Sequence, residues 1–508
     1  MKKPSEPNPH EKIGYLIKEL RQRKNLTQSE FATLLKTSQS AVARIEKGDQ
    51  NLSTEQILKI SDVLNHRIMS IKEGTDFQVI GGKKLHGSFE VNTSKNGALG
   101  LMCGALVNKG TTTLHGIPRI EEIARMVEVL RSIGVTIEYV GEHTLRITPP
   151  KKFNFSGMAV ASAQKMRSIV TTIGALIHTE KRFAIPHAGG CNMGERTIEA
   201  HKHALRALGV SIETKHDEYV ISHTTLEPAT IIMFEASDTA AISALLASAR
   251  VPGVTTIKYA PPNYMVQDVC FLLERLGVSI EGIGSTTLKV HGVADIDMNV
   301  EHYNSEDPVE AMMCLSAAAT TNSKLTITRA PIEFLEVELL KLEYMGLKFS
   351  VSKPYMAKNE RTTLVDITTL PSSLVASPVK IHPLPYPGLN IDNLPFFVPI
   401  ASQAEGTTLI HDWTWENRAI YFTELNRLGA DVRLADPHRV FVTGPRALKG
   451  AQVVSPPALR PAMIVLIAML AAEGTSILRN VYSIERGYER IAERLSAIGA
   501  KVDVIKDL

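Results

Sequence analysis

Apolar and polar residues follow one period in the first part of the chain and a mixture of two periods in the rest. Between residues 11 and 64 apolar side chains recur every three or four positions, as in the stripe 13–20, which predicts helices throughout. From Phe77 onward, amphipathic helical stretches alternate with short stretches in which every second residue is apolar. The sequence therefore predicts a small all-α domain followed by a large α/β body.

The N-terminal segment predicts a helix-turn-helix. Thr27 stands where it would cap a short helix that runs to Leu35, and a second helix follows Ser38. The two helices meet at residues 36–37, and an apolar seam is expected to fix the angle between them. That seam consists of Phe31, Ala32, Leu35, Val42 and Ile45. We expect this domain to span residues 1–70, with residues 71–76 as a linker to the body.

The body contains an internal repeat, in which each copy has a β-rich start, an amphipathic helix, a glycine turn and a strand. Two of the copies are TTTLHGIPRIEEIARMVEVLRSIGVTIEYV and TTLIHDWTWENRAIYFTELNRLGADVRLA. Glycine suits the turn because the residue after a helix often adopts a positive φ. The helix-ending glycines recur at intervals of about 70 to 80 residues and are Gly134, Gly209, Gly277, Gly346, Gly429 and Gly499. Six copies are therefore expected.

The number of copies predicts the architecture of the body. Each repeat is too small to bury its own apolar face, so neighbouring repeats must pack together. Three repeats make a domain of ordinary size, and six imply two similar domains. A cleft between two such domains is a common place for a substrate. We therefore expect an α/β fold of two lobes, with three βαβ-type repeats in each and a binding site between them.

Composition and charge narrow the range of partners. The 508 residues carry a net charge of +3, but residues 1–72 hold 13 basic and 8 acidic side chains, so this segment carries +5 and the remainder −2. A basic head on a mildly acidic body suggests that only the head meets a polyanion. The four cysteines form no metal-binding spacing, and no apolar run reaches the roughly 18 residues that span a bilayer. We expect a cytoplasmic protein that needs neither metal nor cofactor and does not enter a membrane.

The N-terminal segment resembles the DNA-binding domain of phage repressors and Cro proteins, through the stretch LTQSEFATLLKTSQSAVARIEKG. The resemblance implies that duplex DNA is a partner and that the second helix enters the major groove. Gln39, Ser40 and Arg44 would then reach base edges, and Gln28 would bind a phosphate. The alternative is that these four side chains are only solvated. Because repressors of this type usually bind as dimers, a homodimer is also expected.

Six short motifs in the body carry a second resemblance, and they are SKNGA, QKMRS, CNMGER, WENR, ALRPA and ERGYER. Over essentially its whole length the body resembles the enolpyruvyl transferases, and its cysteine-bearing loop favours the branch that acts on UDP-N-acetylglucosamine in peptidoglycan synthesis. The resemblance implies that residues 95–306 form one lobe and that residues 77–94 and 307–508 form the other. It also implies that the substrates are phosphoenolpyruvate and a nucleotide-sugar-like acceptor.

Phosphoenolpyruvate carries a phosphate and a carboxylate, so its site needs several fixed cations, and arginine suits bidentate contacts. By the resemblance, the phosphate is held by Lys95, Arg196 and Arg486, and the carboxylate by Arg418 and Arg460. The other substrate-binding residues that we predict are Asn96, Arg167, Glu199, Ser237 and Thr414. Glu199 keeps, one methylene longer, the acid with which the family binds uracil. Scattered arginines are usually surface charges, but these occupy the separate positions of one family pattern.

The reaction is an addition followed by an elimination, which requires an acid and a base. Cys191, in AGGCNMGER, matches the cysteine to which the family assigns protonation of the vinyl carbon, and a thiol beside cations can also add covalently. Asp392, in NIDNLPF, matches the carboxylate beside the reacting hydroxyl and is the predicted general base. The alternatives are a buried cysteine and an aspartate that only forms a turn. Core positions are our interpretation for Cys103, Cys270 and Cys314.

Two positions depart from the family pattern. Glu235, in FEASDTAA, stands where the family has a lysine that helps to bind the diphosphate, and Ala458 stands where the family has a carboxylate. A carboxylate beside a diphosphate is repulsive, so we expect altered acceptor recognition with phosphoenolpyruvate binding retained. Two functions stay open. One is an enolpyruvyl transferase with a DNA-binding head, and the other is a transcription regulator whose transferase-like body senses phosphoenolpyruvate or a cell-wall precursor.

Overall fold

The structure is a computed structural model that describes residues 14–15, 17–18, 20–22, 26–50, 52, 56, 59–60, 63, 75–189 and 197–506. These residues form two compact units, one before residue 74 and the other from Thr75 onward. The N-terminal unit has one hydrophobic core, and the unit from Thr75 onward has two. Among the described residues, no helix is both long enough and apolar enough to span a membrane.

The N-terminal unit contains the helices Gln28–Leu35 and Gln39–Lys47. A capping box starts the first helix, because Glu30 N donates to Thr27 Oγ1 at 3.2 Å and Thr27 N donates to Glu30 Oε2 at 2.7 Å. Ser38 caps the second helix by accepting from Ala41 N. All five residues of the predicted apolar seam are buried in one core. The helix-turn-helix expected from the sequence is confirmed.

The body has two hydrophobic cores, which define what we call the first lobe and the second lobe. The core of the first lobe is built from residues 98–296 together with Phe334, and the core of the second lobe from residues 77–91 and 309–502. The chain crosses between the lobes at residues 92–94 and again at residues 305–307, and these two segments are hydrogen-bonded to each other. Ser94 N donates to the carbonyl oxygen of Ser305 at 2.7 Å, and Asp307 N donates to that of Asn92 at 2.8 Å.

The described strands form six sheets, three in each lobe. In strand order, the sheets of the first lobe are Val300–Tyr303, Thr112–His115, Thr144–Thr148 and Thr136–Gly141; Arg182–Pro186, Glu218–His223 and Val210–Thr214; and Ser279–Glu281, Thr287–Gly292, Gly253–Lys258 and Thr230–Ile232. Those of the second lobe are Lys348–Val351, Thr363–Leu370, Thr326–Pro331 and Ser88–Glu90, with Tyr355–Met356 on Thr363–Leu370; Gly406–His411, Arg439–Gly444 and Asp431–Asp436; and Gln452–Val454, Thr475–Arg479, Thr75–Ile80 and Val502–Lys506. One sheet corresponds to each predicted repeat.

Helices that are apolar on every side lie at the centre of each lobe, as their composition requires. They are Lys95–Gly104 and Asp238–Ala249 in the first lobe and Pro308–Thr320 and Leu459–Ala471 in the second. The other α-helices of the body are Glu121–Ser132, Val160–Ala163, Ile173–Leu176, Glu199–Arg206, Tyr264–Arg275, Glu336–Tyr344, Phe397–Ala401, Tyr482–Glu485 and Ile491–Ala497. Short 3₁₀ segments are Ala105–Val107, Phe155–Gly157, Arg167–Thr172, Ile332–Phe334, Leu394–Phe396 and Ala419–Leu428.

Glycines end the main helix of each repeat in the conformation that the sequence predicts. The six glycines listed above have φ values between 85° and 101°, a region that other residues enter only with strain. A second use of glycine is close packing. At Gly104, where the helix Lys95–Gly104 crosses Tyr264–Arg275, a Cβ atom would lie only 2.9 Å from Leu272 Cδ2. The predicted six-repeat α/β fold is confirmed.

Candidate active site

A cavity of about 630 Å³ opens between the two lobes of the body, and residues of both line it. Four helices begin at its wall, namely Lys95–Gly104, Asp238–Ala249, Tyr264–Arg275 and Leu459–Ala471. The polar lining residues are Lys95, Asn96, Glu122, Arg167, Ser168, Thr171, Thr197, His201, Glu235, Ser237, Asp238, Thr239, Asn263, Tyr264, Tyr386, Asn390, Asp392, Trp413, Thr414, Trp415, Arg418, Arg460 and Arg486. Cations from both lobes therefore face one space.

Glu122 brings together two cations that come from different lobes. Its Oε2 atom lies 2.8 Å from Lys95 Nζ of the first lobe and 3.7 Å from Arg486 Nη2 of the second. Burial by itself raises the pKa of this carboxyl, but Lys95, Arg486 and Arg460 outweigh burial, and the pKa lies below its usual value. Glu122 is thus ionised at neutral pH. The two cations gathered around it form a place where a phosphate group can bind.

Asp392 lies between two arginines of the second lobe. Its Oδ2 atom is 3.4 Å from Arg460 Nη2, and its Oδ1 atom is 3.9 Å from Arg418 Nη1. Burial raises the pKa of Asp392, but Arg460, Arg418 and Lys95 together lower this pKa by more than burial raises it. The pKa therefore lies below its usual value. The carboxylate is therefore charged at neutral pH. It can accept a proton from a hydroxyl group that approaches through the cavity.

Arg418 is held in one orientation by a buried carboxylate. Its Nε and Nη2 atoms lie 2.5 Å and 3.0 Å from the two oxygens of Asp412, and Nη2 also donates to the carbonyl oxygen of Ile391 at 2.8 Å. The side chains of Arg418 and Asp412 are only 1% and 0% exposed. This bidentate pair fixes the plane of the guanidinium. Arg460 is held in a similar way, because its Nη1 atom donates to the hydroxyl of Tyr488 at 2.8 Å.

The wall on the first-lobe side combines amides, hydroxyls and carboxylates. Asn96 Nδ2 lies 3.4 Å from the hydroxyl of Tyr264, and Asn263 Nδ2 donates to Asp238 Oδ2 at 3.1 Å. Burial raises the pKa of Asp238 to about 7, and the nearby charge of Asp392 adds to the effect, although the hydrogen bond from Asn263 opposes it. Asp238 and Asp392 thus differ widely in acidity within one cavity.

Both tryptophans of the chain, Trp413 and Trp415, line the cavity. Trp413 Nε1 donates to the carbonyl oxygen of Pro383 at 2.8 Å, and the guanidinium carbon of Arg418 lies 5.9 Å from the centre of the Trp415 ring. Thr414, between them, has a buried hydroxyl without a hydrogen-bond partner among the described residues. Tryptophan fluorescence can therefore report directly on ligands in this cavity.

The structure gathers nine of the predicted substrate-site residues in the cavity, namely Lys95, Asn96, Arg167, Ser237, Asp392, Thr414, Arg418, Arg460 and Arg486. Glu199 does not line it. Its carboxylate lies 2.7 Å from Lys202 Nζ, and its side chain is 54% exposed. Cys191 and Arg196 lie outside the described residues. Sequence reasoning did not identify Glu122, Asp412 or Tyr488, whose importance arises from the side chains that they contact.

Comparisons with known proteins decide the family. Residues 79–495 match the family described as EPSP synthase (3-phosphoshikimate 1-carboxyvinyltransferase). The UDP-N-acetylglucosamine 1-carboxyvinyltransferase of Bradyrhizobium diazoefficiens is 33% identical over 424 residues, which cover 84% of this chain and 96% of that relative. The chain belongs to the enolpyruvyl transferase family. The enzyme of the same name from Treponema denticola is 31% identical over 431 residues, or 84% of this chain and 99% of that relative.

The enolpyruvyl transferase fold is also found among solved structures. The enolpyruvyl transferase NikO from Streptomyces tendae superposes with a TM-score of 0.73 at 22% identity and covers 86% of this chain and 100% of its own. EPSP synthase from Acinetobacter baumannii gives a TM-score of 0.68 at 19% identity, over 85% of this chain and 100% of its own. At these identities the likeness concerns the fold. It agrees with the two-lobe architecture predicted from the repeats.

The two departures from the enolpyruvyl transferase pattern both lie at this cavity or next to it. The exposed Glu235 lines the wall on the first-lobe side. Ala458 immediately precedes the helix Leu459–Ala471, is 1% exposed and provides no side-chain cap. The interpretation of the other cysteines is confirmed, because Cys103, Cys270 and Cys314 are all buried. Burial raises the pKa of Cys103 to about 12, which leaves that thiol protonated.

The N-terminal unit carries a second candidate functional surface, one for binding DNA. Residues 17–67 match the family described as Helix-turn-helix. Gln39, Ser40 and Arg44 are exposed on the second helix, as the sequence predicts. Gln28 already makes a hydrogen bond within the domain, because its Nε2 atom donates to Glu46 Oε2 at 2.8 Å. Contact of these side chains with DNA stays a prediction.

Proposed function

We propose that the protein transfers the enolpyruvyl group of phosphoenolpyruvate to a hydroxyl of UDP-N-acetylglucosamine or a related nucleotide or sugar, with release of phosphate, as in the synthesis of peptidoglycan precursors. The observation that carries the proposal is the convergence of Lys95, Arg486, Arg418 and Arg460 from two lobes on the cavity that Asp392 also lines. Membership of the enolpyruvyl transferase family supports it. Phosphoenolpyruvate has the two anionic groups that such an arrangement of cations can hold.

The proposed roles of the cations come from the resemblance to the enolpyruvyl transferases, and the grouping of their contacts supports them. Lys95 and Arg486, which meet at Glu122, bind the phosphate. Arg418 and Arg460, which flank Asp392, bind the carboxylate. Because both arginines are held by buried partners, little conformational entropy is lost when the substrate binds. The substrate's C2 atom would then lie near Asp392, where the acceptor hydroxyl must arrive.

The chemical steps require one proton donor and one proton acceptor. Asp392 takes the proton of the acceptor hydroxyl as the acceptor oxygen bonds to C2 of phosphoenolpyruvate. Cys191, which lies outside the described residues, donates a proton to C3. A tetrahedral intermediate results. Its bond between C2 and the phosphate oxygen then breaks, while the Cys191 thiolate takes a proton from C3 and the leaving phosphate takes the proton held by Asp392, which gives the enol ether and inorganic phosphate. Ionised Asp392 is ready for the first step because its pKa is lowered.

The direct test is phosphate release from phosphoenolpyruvate with a panel of hydroxyl acceptors that includes UDP-N-acetylglucosamine. We expect release with at least one acceptor and none above background for a Cys191→Ala variant. A Cys103→Ala variant is the matched control, because that cysteine is buried in the core. Release that is equally fast in the Cys191→Ala variant would contradict the assignment of the thiol. No release with any acceptor would contradict the proposed reaction.

Fosfomycin provides a second test of the same thiol, since it resembles phosphoenolpyruvate and alkylates the cysteine of the family. We expect one adduct by intact mass, located at Cys191 by peptide mapping, and protection by saturating phosphoenolpyruvate. An unmodified protein under saturating drug would count against this site.

A second function is favoured by the N-terminal unit. The helix-turn-helix presents Gln39, Ser40 and Arg44 to solvent. Glu235 in the cavity wall and Ala458, next to the cavity-lining Leu459, depart from the enolpyruvyl transferase pattern. We propose that this unit binds duplex DNA, so that the body could report phosphoenolpyruvate or a cell-wall precursor to a promoter. DNA binding that changes when phosphoenolpyruvate is added would support this regulator. DNA binding that is independent of every cavity ligand would contradict it.

A further inference from the structure

The wall on the first-lobe side of the cavity is acidic where the family has a cation for the diphosphate. Glu235 and Asp238 line this wall, which we call the acidic wall together with Ser168. The helix Asp238–Ala249 packs against the segment Arg167–Thr172, and this packing places Ser168 on the same side of the cavity. The acidic wall therefore combines two carboxylates and a hydroxyl within one part of the site.

A carboxyl group of the protein itself, that of Asp238, lies at the start of the helix Asp238–Ala249. Such a start carries partial positive charge and would otherwise suit a phosphate. Here Asp238 is the first helical residue, and Ser237 caps the helix by accepting from Ala240 N at 3.4 Å. A diphosphate at this position would meet the carboxylates of Asp238 and Glu235 in place of free backbone donors. Like charges in such proximity are unfavourable.

Two buried acceptor atoms of the acidic wall have no partner among the described residues. Asp238 Oδ2 accepts from Asn263, but Asp238 Oδ1 is buried and unpartnered. Ser168 is 8% exposed, and its Oγ atom is also unpartnered. A buried carboxylate oxygen without a donor is costly. A ligand group that donates several hydrogen bonds, such as an ammonium, would satisfy both atoms.

Neighbouring groups do not cancel the negative charge of this wall. Burial lowers the pKa of His201 to about 3, so its ring is neutral and bonds Ser243 Oγ and Thr239 Oγ1. Arg167 faces the cavity, but its guanidinium also donates to the carbonyl oxygen of Thr197. The acidic wall holds Glu235 and Asp238, and because the pKa of Asp238 is raised to about 7, Asp238 is partly ionised at neutral pH. A cation bound beside these two carboxyl groups would favour the ionised form of Asp238.

We propose that the acceptor carries a protonated amino group, which Asp238 and Ser168 bind with Glu235 beside it, and that it has no diphosphate at this wall. The inference rests on the proposed enolpyruvyl transfer and narrows its acceptor to an amino-bearing hydroxyl compound. An ammonium has three N–H donors, enough for Asp238 Oδ1, Ser168 Oγ and one further oxygen. It also reduces the cost of burying a charged Asp238.

Binding and turnover must be measured separately to test this. Glucosamine and N-acetylglucosamine are a matched pair of probes, because acetylation removes the positive charge and keeps the hydroxyl groups. Binding to the full chain, saturated with phosphoenolpyruvate, can be followed by the fluorescence of Trp413 and Trp415, which line the cavity. UDP-N-acetylglucosamine serves as the diphosphate probe. Phosphate release is then measured with each of the three probes.

We expect the unmodified protein to bind glucosamine about tenfold more tightly than N-acetylglucosamine, and Asp238→Asn to remove this preference. Glu235→Lys is expected to tighten UDP-N-acetylglucosamine by about tenfold, whereas Glu213→Lys, the same charge change at an exposed strand position outside the cavity lining, leaves it unchanged. Tighter binding of UDP-N-acetylglucosamine than of glucosamine by the unmodified protein would overturn the inference. An amine preference in binding without phosphate release would support it and contradict the proposed reaction instead.

Discussion

Replacing Asp412 with asparagine tests whether a buried ion pair positions Arg418 in the cavity. The two side chains are 0% and 1% exposed and make two contacts of 2.5 Å and 3.0 Å. Removing one partner of a buried pair costs about 3 to 5 kcal/mol, because the other charge stays buried. Asparagine keeps the shape and one acceptor oxygen, so we expect a loss near the lower end, about 3 kcal/mol. In a lobe of roughly 200 residues that unfolds on its own, this lowers the unfolding temperature by about 6 to 12 °C.

The assay is thermal unfolding followed by tryptophan fluorescence, which reports on this region because Trp413 and Trp415 lie beside Asp412 in the chain. Glu424→Gln is the control. Its partner Arg427 is exposed, so we expect a loss below about 0.5 kcal/mol. Phosphoenolpyruvate binding by Asp412→Asn should also weaken by about tenfold, because Arg418 is no longer held. An unfolding temperature within about 2 °C of the unmodified protein would refute the reasoning.

Three further predictions concern catalysis, pH and DNA. Asp392→Asn should lower the rate of phosphate release by about 100-fold or more while phosphoenolpyruvate still binds; a smaller loss would remove Asp392 as the base. The pKa of Asp238 is about 7 in the folded protein, compared with an ordinary value of 3.8. This group therefore lowers the free energy of unfolding by an amount that grows as pH rises from about 4 to 7 and stays constant above that range. Asp238→Asn should therefore gain stability over that range, as measured by unfolding at a series of pH values; a gain independent of pH would contradict this. Arg44→Ala should weaken salt-sensitive binding of residues 1–72 to duplex DNA, measured by fluorescence anisotropy, and equal binding would remove Arg44 from the contact surface.

The fold could be predicted from the sequence because local signals repeat. The glycines from Gly134 to Gly499 each require a positive φ at a helix end, and their spacing gives the number of units. Thr27 and Ser38 mark the helix starts of the N-terminal domain by their own hydrogen bonds. Such features depend on residues close together in the chain, so they are visible without coordinates.

The site could be predicted only in part, because some roles arise from distant contacts. Motifs were sufficient for Lys95 and Arg460, whose positions at helix starts place them in the cavity. Glu122 has no motif of its own, and its role depends on Arg486 at the opposite end of the body. Asp412 is important because its carboxylate is buried against Arg418, and this burial is not visible in the sequence. Glu199 was assigned by position within a motif, and the structure instead pairs it with Lys202.

The central claim is that cations of both lobes hold one molecule of phosphoenolpyruvate in the cavity between them. Titration with phosphoenolpyruvate, followed by the fluorescence of the two cavity tryptophans, tests it most directly. We predict a saturable change that is weakened about tenfold or more by Lys95→Ala in the first lobe and also by Arg460→Ala in the second, but not by Lys324→Ala on the surface. Equal affinity in all four proteins, or no saturable change at all, would contradict the account.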